Sequence, residues 1–298
     1  MCIRDSVRGA VGEFWAMSFV PLVFLAIYKI CKISNLKSQI SKLQLKSQIW
    51  IIMGGLGYAG VILSHNLTAM MTIPFMLMAI LLCCYIAKNK KEFVICHLKF
   101  VILALSVSAF YWLPALMEMS LTKVFGQIGG GADFRDHFVF LDQLWASPWG
   151  FGGSAPGRLD GMSFMIGKLH LLMVVLAFLV SLKLWKEKKR DSIVVILFAV
   201  CCLLFAVFLT NKVSRSIWEA IPPMAFIQYP WRFLIFATFF SSFLAGSVML
   251  CFKKNLKLSL IGGMGIVMAL LTLNTKYFKP QLFLNVSAAD YINEAVSY

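Results

Sequence analysis

Charged side chains are scarce in this chain. Asp, Glu, Lys and Arg make up 14% of its 298 residues, about half of what a soluble domain carries. Acids are the rarer sign, 13 against 28 Lys and Arg, and there are only four histidines. Apolar residues reach 60% and mean hydropathy is +0.82, which excludes water as the solvent for most of the surface. The motifs of soluble enzymes are missing as well: no Walker loop, dinucleotide fingerprint, HExxH helix or nucleophile elbow occurs. A disulfide framework is also absent, because Cys31, Cys83, Cys84, Cys96, Cys201, Cys202 and Cys251 fall within apolar runs or at their lysine-rich ends. The neighbouring pairs Cys83 with Cys84 and Cys201 with Cys202 lack metal-ligand spacing and read as small apolar fillers.

What remains is a succession of long apolar runs. A hydrocarbon core of roughly 30 Å needs about 20 apolar residues per helical span. Eight runs qualify: Phe14 to Cys31, Ile49 to Ser64, Leu67 to Ala87, Phe100 to Met117, Ile166 to Trp185, Ile193 to Thr210, Trp231 to Phe252 and Leu258 to Leu273. They are apolar all round and lack the alternation of a membrane barrel strand, so the expected fold is an all-α polytopic transmembrane bundle of about eight spans. Interfacial helices are expected in its outer loops.

The basic excess orients the bundle. Counting every second connection as cytoplasmic gathers 17 of the 28 basic residues and three of the 13 acids, a balance of +14, and leaves +1 for the other side. Basic residues in short loops stay cytoplasmic, so both termini are expected outside. A charge so segregated needs no nucleic-acid partner. Residues 1–6, MCIRDS, read as translated adapter; 7–275 as the transmembrane helical domain of a fragment; and 276–298 as the start of an extracytoplasmic segment, with truncation expected at both ends.

The elaboration lies outside: a long loop from Glu118 to Met165, a second from Asn211 to Pro230, and the tail. Within the long loop, Phe138 to Trp149 is too short to span and too apolar to float, so an interfacial helix is expected there. The glycines at 129–131 and 150–153 would let it hinge or shape a cleft.

Three polar clusters mark the outer helix ends. Arg8 and Glu13, five residues apart, can face a common site across a turn, or serve as interfacial anchors. His65 and Asn66 sit in a turn too short to leave the bundle, where they can bind a ligand's hydroxyls or phosphate, or Asn66 can cap the next helix. Gln228 and Arg232 flank Pro230 at the entrance of the seventh span, where an arginine and a helix start favour a phosphate, with interfacial anchoring the alternative. Asp133, Arg135, Asp136 and His137 form the densest ionisable group of the long loop, able to bind a divalent metal or supply a general base, or simply to be solvated. His170, beside Lys168 at the start of the fifth span, is a further candidate, with a structural histidine the blander reading.

Arg8-Gly-Ala-Val-Gly-Glu-Phe14, Ser64-His-Asn66 and Gln228-Tyr-Pro-Trp-Arg-Phe233, with Ser108 to Leu116 and Phe138 to Leu144, together resemble the bacterial membrane proteins labelled "6-pyruvoyl-tetrahydropterin synthase-related". The resemblance runs from Arg8 to Ala289. Pterin chemistry is not implied, because four scattered histidines cannot reproduce a zinc-binding histidine set. The family is itself similar to the GT-C superfamily, multispanning glycosyltransferases that take sugars from polyprenyl-phosphate carriers at the extracytoplasmic face. The resemblance implies that Arg232 and Arg8 meet the lipid phosphate while His65, Asn66 and the loop acids Asp133 and Asp136 position sugar or acceptor. It also implies that the catalytic acid, normally in the first outer loop, lies upstream of this sequence. The competing expectation is a non-catalytic component, a lipid-linked-glycan transporter or assembly scaffold.

Overall fold

The computed structural model describes residues 10–35, 40–150, 152–252 and 255–278. Arg8, the adapter-like residues 1–6, and residues 279–298 of the tail lie outside them. The described residues form helices and turns without strands. Seven helices are long and apolar enough to cross a membrane, and a bent pair makes an eighth crossing if counted as one. The chain is a multi-pass membrane protein.

Chain order gives α1 (Val11–Ser34), α2 (Ile40–Ser64), α3 (Asn66–Ile86), α4 (Lys90–Val107) and α5 (Ala109–Met117). After the long loop, with its short α6 (Leu141–Trp145), come α7 (Lys168–Lys186) and α8 (Arg190–Thr210). The second loop contains α9 (Arg215–Ala220). A tight turn at Pro230–Phe233 then leads into α10 (Leu234–Ser247), and α11 (Leu256–Asn274) follows.

The fourth run departs from expectation. Instead of one straight span over Phe100 to Met117, α4 begins ten residues earlier and meets α5 at a 72° bend around Ser108. Pro114 lies beyond the bend, inside α5, where it lacks an N–H for the carbonyl of Phe110. At the bend the Leu105 carbonyl, which the apolar surroundings cannot solvate, accepts from the Trp112 indole N–H at 2.9 Å, and the Ser108 hydroxyl adds a 2.8 Å bond to the Ala104 carbonyl, already met by the Ser108 backbone N–H at 3.2 Å.

Lipid offers no hydrophobic drive for helix association, so close packing must supply it. Helices α1 and α2 approach through glycines: a Cβ at Gly54 would stand 2.8 Å from the Ala26 Cβ, and one at Gly60 2.9 Å from the Phe19 ring. The two halves of the bundle meet on aromatics. Phe75 of α3, fully buried, stacks on Phe236 at 4.5 Å and touches Phe205 and Phe240, while Phe24 of α1 contacts Phe239 and Phe240. At the lysine-rich end, Lys32 pairs with Asp191 and the Asn35 side chain accepts the Lys88 backbone N–H at 2.6 Å.

At the opposite end the two long loops form one cap. Val139 N–H donates to the Thr210 carbonyl (2.8 Å) and Asn211 donates back to the Val139 carbonyl (3.0 Å). Trp218, 1% exposed, donates to the Leu209 carbonyl at 3.1 Å and stacks on Phe134 at 5.3 Å. Phe138 and Val139 are therefore buried in this cap, and the helix expected over Phe138 to Trp149 is confined to the five residues of α6. The expected glycine hinge at 150–153 is pinned instead: Gly152 N–H donates to Gly161 (2.9 Å) and Gly161 N–H to Gly153 (2.9 Å).

Candidate functional site

The site lies where the first turn of α1 meets the entrance of the seventh span. The start of α1 also packs on the turn between α2 and α3, where position 12 must be glycine, because a Cβ there would stand 2.7 Å from the Ser64 carbonyl oxygen and 3.5 Å from the His65 ring. The next residue, Glu13, is thereby carried inside, where it is 6% exposed. Its Oε1 lies 3.7 Å from Arg232 Nε. Glu13 and Arg232 are separated by more than two hundred positions in sequence, and the fold brings them together at one rim.

Arg232 is anchored on two further sides. Its Nη1 donates to the Ile227 carbonyl at 3.2 Å, and the guanidinium lies 5.3 Å over the Tyr229 ring. Tyr229 in turn stacks on Trp231 at 5.4 Å and receives His137 edge-on at 4.8 Å. Tyr229 therefore joins the arginine pair to the long loop.

His137 is 4% exposed and held at both ring nitrogens, by the Ser154 hydroxyl at Nδ1 (2.9 Å) and the Gly131 carbonyl at Nε2 (3.1 Å). Behind it runs a buried polar chain. Asp160 Oδ1 accepts from the Ser154 hydroxyl (3.1 Å) and the Ala155 N–H (3.0 Å), and its Oδ2 accepts from Gln143 Nε2 (2.8 Å). Gln143 closes the chain by accepting the Phe140 N–H at 3.0 Å. A buried chain with every link made is a rigid support for whatever stands in front of it.

The remaining candidates fall into separate places. His65 caps α3, accepting the Thr68 N–H on Nδ1 at 3.1 Å, and so performs the capping offered as one reading of Asn66. Asn66 is exposed beside it. Gln228 donates to the Gln127 carbonyl at 2.9 Å and has φ +66°, ψ −45°. With Tyr229 N–H bonded to the Ile227 carbonyl at 2.7 Å, it centres a γ-turn of the rarer, strained hand. His170 occupies the first turn of α7 against Gly167.

The acidic and basic residues of the loop divide between two tasks. Asp133 accepts from the Arg135 backbone and pairs with its guanidinium at 3.1 Å, and Arg135 continues to Glu219 (3.3 Å), which Arg215 also holds (2.9 Å). These contacts raise Arg135 above its ordinary value, with Asp133 the largest cause, and hold Glu219 below its own, with Arg215 the largest cause. Asp136 is exposed nearby. Asp133 and His137 thus face different partners, and among the described residues no group of three or more His, Cys, Asp or Glu is placed to hold a metal ion.

Sequence reading missed Gly12, Gln143, Ser154, Tyr229 and Asp160. Tyr229 lay inside a quoted motif, and Gly12 preceded a flagged acid; a glycine before a buried acid at a helix start was the available signal. Nothing local marks Asp160, whose partners come from two other stretches of the loop. Comparison with protein-family models, curated proteins and solved structures finds no match.

Proposed function

We propose that this protein handles a polyprenyl-phosphate-linked sugar at the extracytoplasmic face of a bacterial cytoplasmic membrane, as a glycosyltransferase of the GT-C kind or a portion of one. The observation that carries the reading is the Glu13–Arg232 pair at the rim opposite the lysine-rich end, backed by Tyr229, Trp231 and the His137 chain. A guanidinium offers five N–H donors in one plane and suits phosphate oxygens. Held by Glu13 and Ile227, it is oriented before a ligand arrives. The Tyr229–Trp231 stack offers aromatic faces of the kind on which a sugar ring packs.

In this reading the bond between the anomeric carbon and the carrier phosphate breaks, its electrons leaving on the phosphate. The acceptor oxygen forms the new bond to that carbon, and its proton passes to the departing phosphate. Arg232 neutralises the charge that grows on the departing phosphate, the type of contribution worth about 10²–10³ in rate. The test is transfer from a polyprenyl-phosphate sugar by the protein in vesicles. Arg232→Ala should reduce transfer at least about 100-fold and Arg232→Lys less; unchanged turnover in Arg232→Ala rejects the role.

One observation favours a second reading. The Glu13–Arg232 pair also ties α1 to the seventh span, as a clamp in a non-catalytic transporter or assembly scaffold would. A clamp needs the pair intact but no sugar donor, so a protein that binds donor without ever consuming it would belong to this class.

A further inference from the structure

At the end of the bundle opposite the candidate site, an open cavity of about 480 Å³ lies between the lysine-rich ends of α2 and α4. Its α4 wall repeats every four residues, with Lys91, Ile95 and Lys99 on one face. Lys91 and Lys99 therefore flank an isoleucine, their backbones about 12 Å apart along the helix axis. Across from them α2 presents Ser47 and Gln48 nearer the helix start and Ile52 one turn deeper. Inward from the lysine-rich end the α4 lining runs Lys91, Ile95, Lys99, so an aliphatic stretch is enclosed between two cations, with Ile52 contributed from α2.

One acid borders the cavity, and it is engaged. Glu92 accepts from the Asn89 side-chain amide at 2.8 Å, while Asn89 accepts the Glu92 backbone N–H at 3.2 Å. This reciprocal cap ties the carboxylate to the start of α4 and leaves the cavity with an excess of positive charge. The apolar part is substantial, since Ile52 is 48% and Ile95 40% exposed within a cleft between two spans. A free anion would use the lysines and gain nothing from these isoleucines; a molecule with a charged head and a hydrocarbon tail uses both.

We propose that this cavity binds an anionic phospholipid, its phosphate met by Lys91 and by Lys99, whose long side chain reaches back toward the membrane surface, and the upper part of an acyl chain along Ile52. The site stands apart from the sugar-transfer reading and does not depend on it. Bound there, the lipid would bridge the lysine-rich ends of α2 and α4.

The test uses the full chain in nanodiscs of phosphatidylcholine containing a minor share of phosphatidylglycerol, followed by native mass spectrometry of retained lipid. The wild-type protein should retain phosphatidylglycerol in preference to phosphatidylcholine. Lys91→Gln with Lys99→Gln should weaken that retention about 30-fold, roughly the factor for two lysine contacts with anionic lipid. Lys186→Gln with Lys189→Gln, an equal charge loss elsewhere at the same end, should leave it unchanged. Ile52→Trp, which keeps both charges and fills the aliphatic floor, should also lower retention and gives the answer if the double-lysine variant fails to fold. Equal loss in the Lys186/Lys189 variant would reduce the effect to surface potential and overturn the proposal. Retention in Ile52→Trp equal to wild type, with soluble glycerol phosphate displacing the lipid, would show an anion site and overturn the lipid assignment.

Discussion

Replacing Arg232 with glutamine removes the cation 3.7 Å from a carboxylate that is only 6% exposed. At that separation and an effective dielectric of about 20, the Coulomb attraction is about 4.5 kcal/mol, most of it offset by the cost of taking both ions out of water. Truncating one partner is another matter, because the survivor keeps its desolvation cost, and a loss of about 3–5 kcal/mol is expected. For a chain of this size each kcal/mol corresponds to roughly 2–4 °C, so Arg232→Gln should lower the melting temperature in detergent by about 10 °C. Glu13→Gln should act in the same direction. The double variant, Glu13→Gln with Arg232→Gln, puts two neutral amides in place of the two ions and should recover much of the loss, falling short of the sum of the single effects by at least about 2 kcal/mol. Thermal unfolding followed by tryptophan fluorescence reads all four proteins. If the double variant loses the sum of the two single losses, the ions do not interact and the site is wrongly built. The same series separates function from clamp, since the double variant should recover stability while remaining inactive in transfer.

Three other consequences are equally direct. Asp160→Asn turns the oxygen that accepts from Gln143 into a second donor, so the long loop should exchange its amide hydrogens faster. Adding Gln143→Glu restores a donor–acceptor match at unchanged total charge and should bring protection back. Lys188, with φ +56° in the turn between α7 and α8, should gain about 1 kcal/mol on replacement by glycine, visible as a melting temperature raised by about 2–4 °C. Glu219 has its folded-state value depressed by Arg215 and Arg135, so its contribution is present above the ordinary glutamate range and is lost as pH falls through the depressed value. Corrected for the intrinsic pH dependence of exchange, amide protection across 211–220 should thus hold on acidification from neutrality to the ordinary glutamate range and fall only below it; a loss of protection at higher pH would refute the linkage.

The spans were legible because lipid imposes a one-dimensional requirement: an apolar run long enough to cross, with basic residues kept at one end. The runs around Phe14, Leu67 and Ile193 correspond to α1, α3 and α8 on that ground alone. The bend at Ser108 was hidden, since Phe100 to Met117 satisfies the same requirement whether straight or broken, and the Trp112 bond to Leu105 that covers the break depends on the bent geometry. At the candidate site the ends of the argument were readable and the middle was not. Glu13 and Arg232 drew attention as charges at helix entrances, where any charge is costly. Their pairing with each other required the packing of α1 against the seventh span, which no local pattern encodes. The loop residues were harder still: Asp133 and His137, four positions apart, looked like one group, yet the turns between them send one to Arg135 and the other to Ser154. Asp160, an isolated acid in a glycine-rich stretch, became meaningful only through its three hydrogen-bond donors.

The most direct test of the central claim, that the Glu13–Arg232 rim faces away from the cytoplasm, is thiol labelling of single-cysteine variants in intact cells with a membrane-impermeant reagent. In a background with the native cysteines replaced, Asn66→Cys and Asp136→Cys should label before permeabilisation, and Lys90→Cys and Lys188→Cys only afterwards. The reverse pattern would put the arginine rim inside the cell and contradict the proposed function.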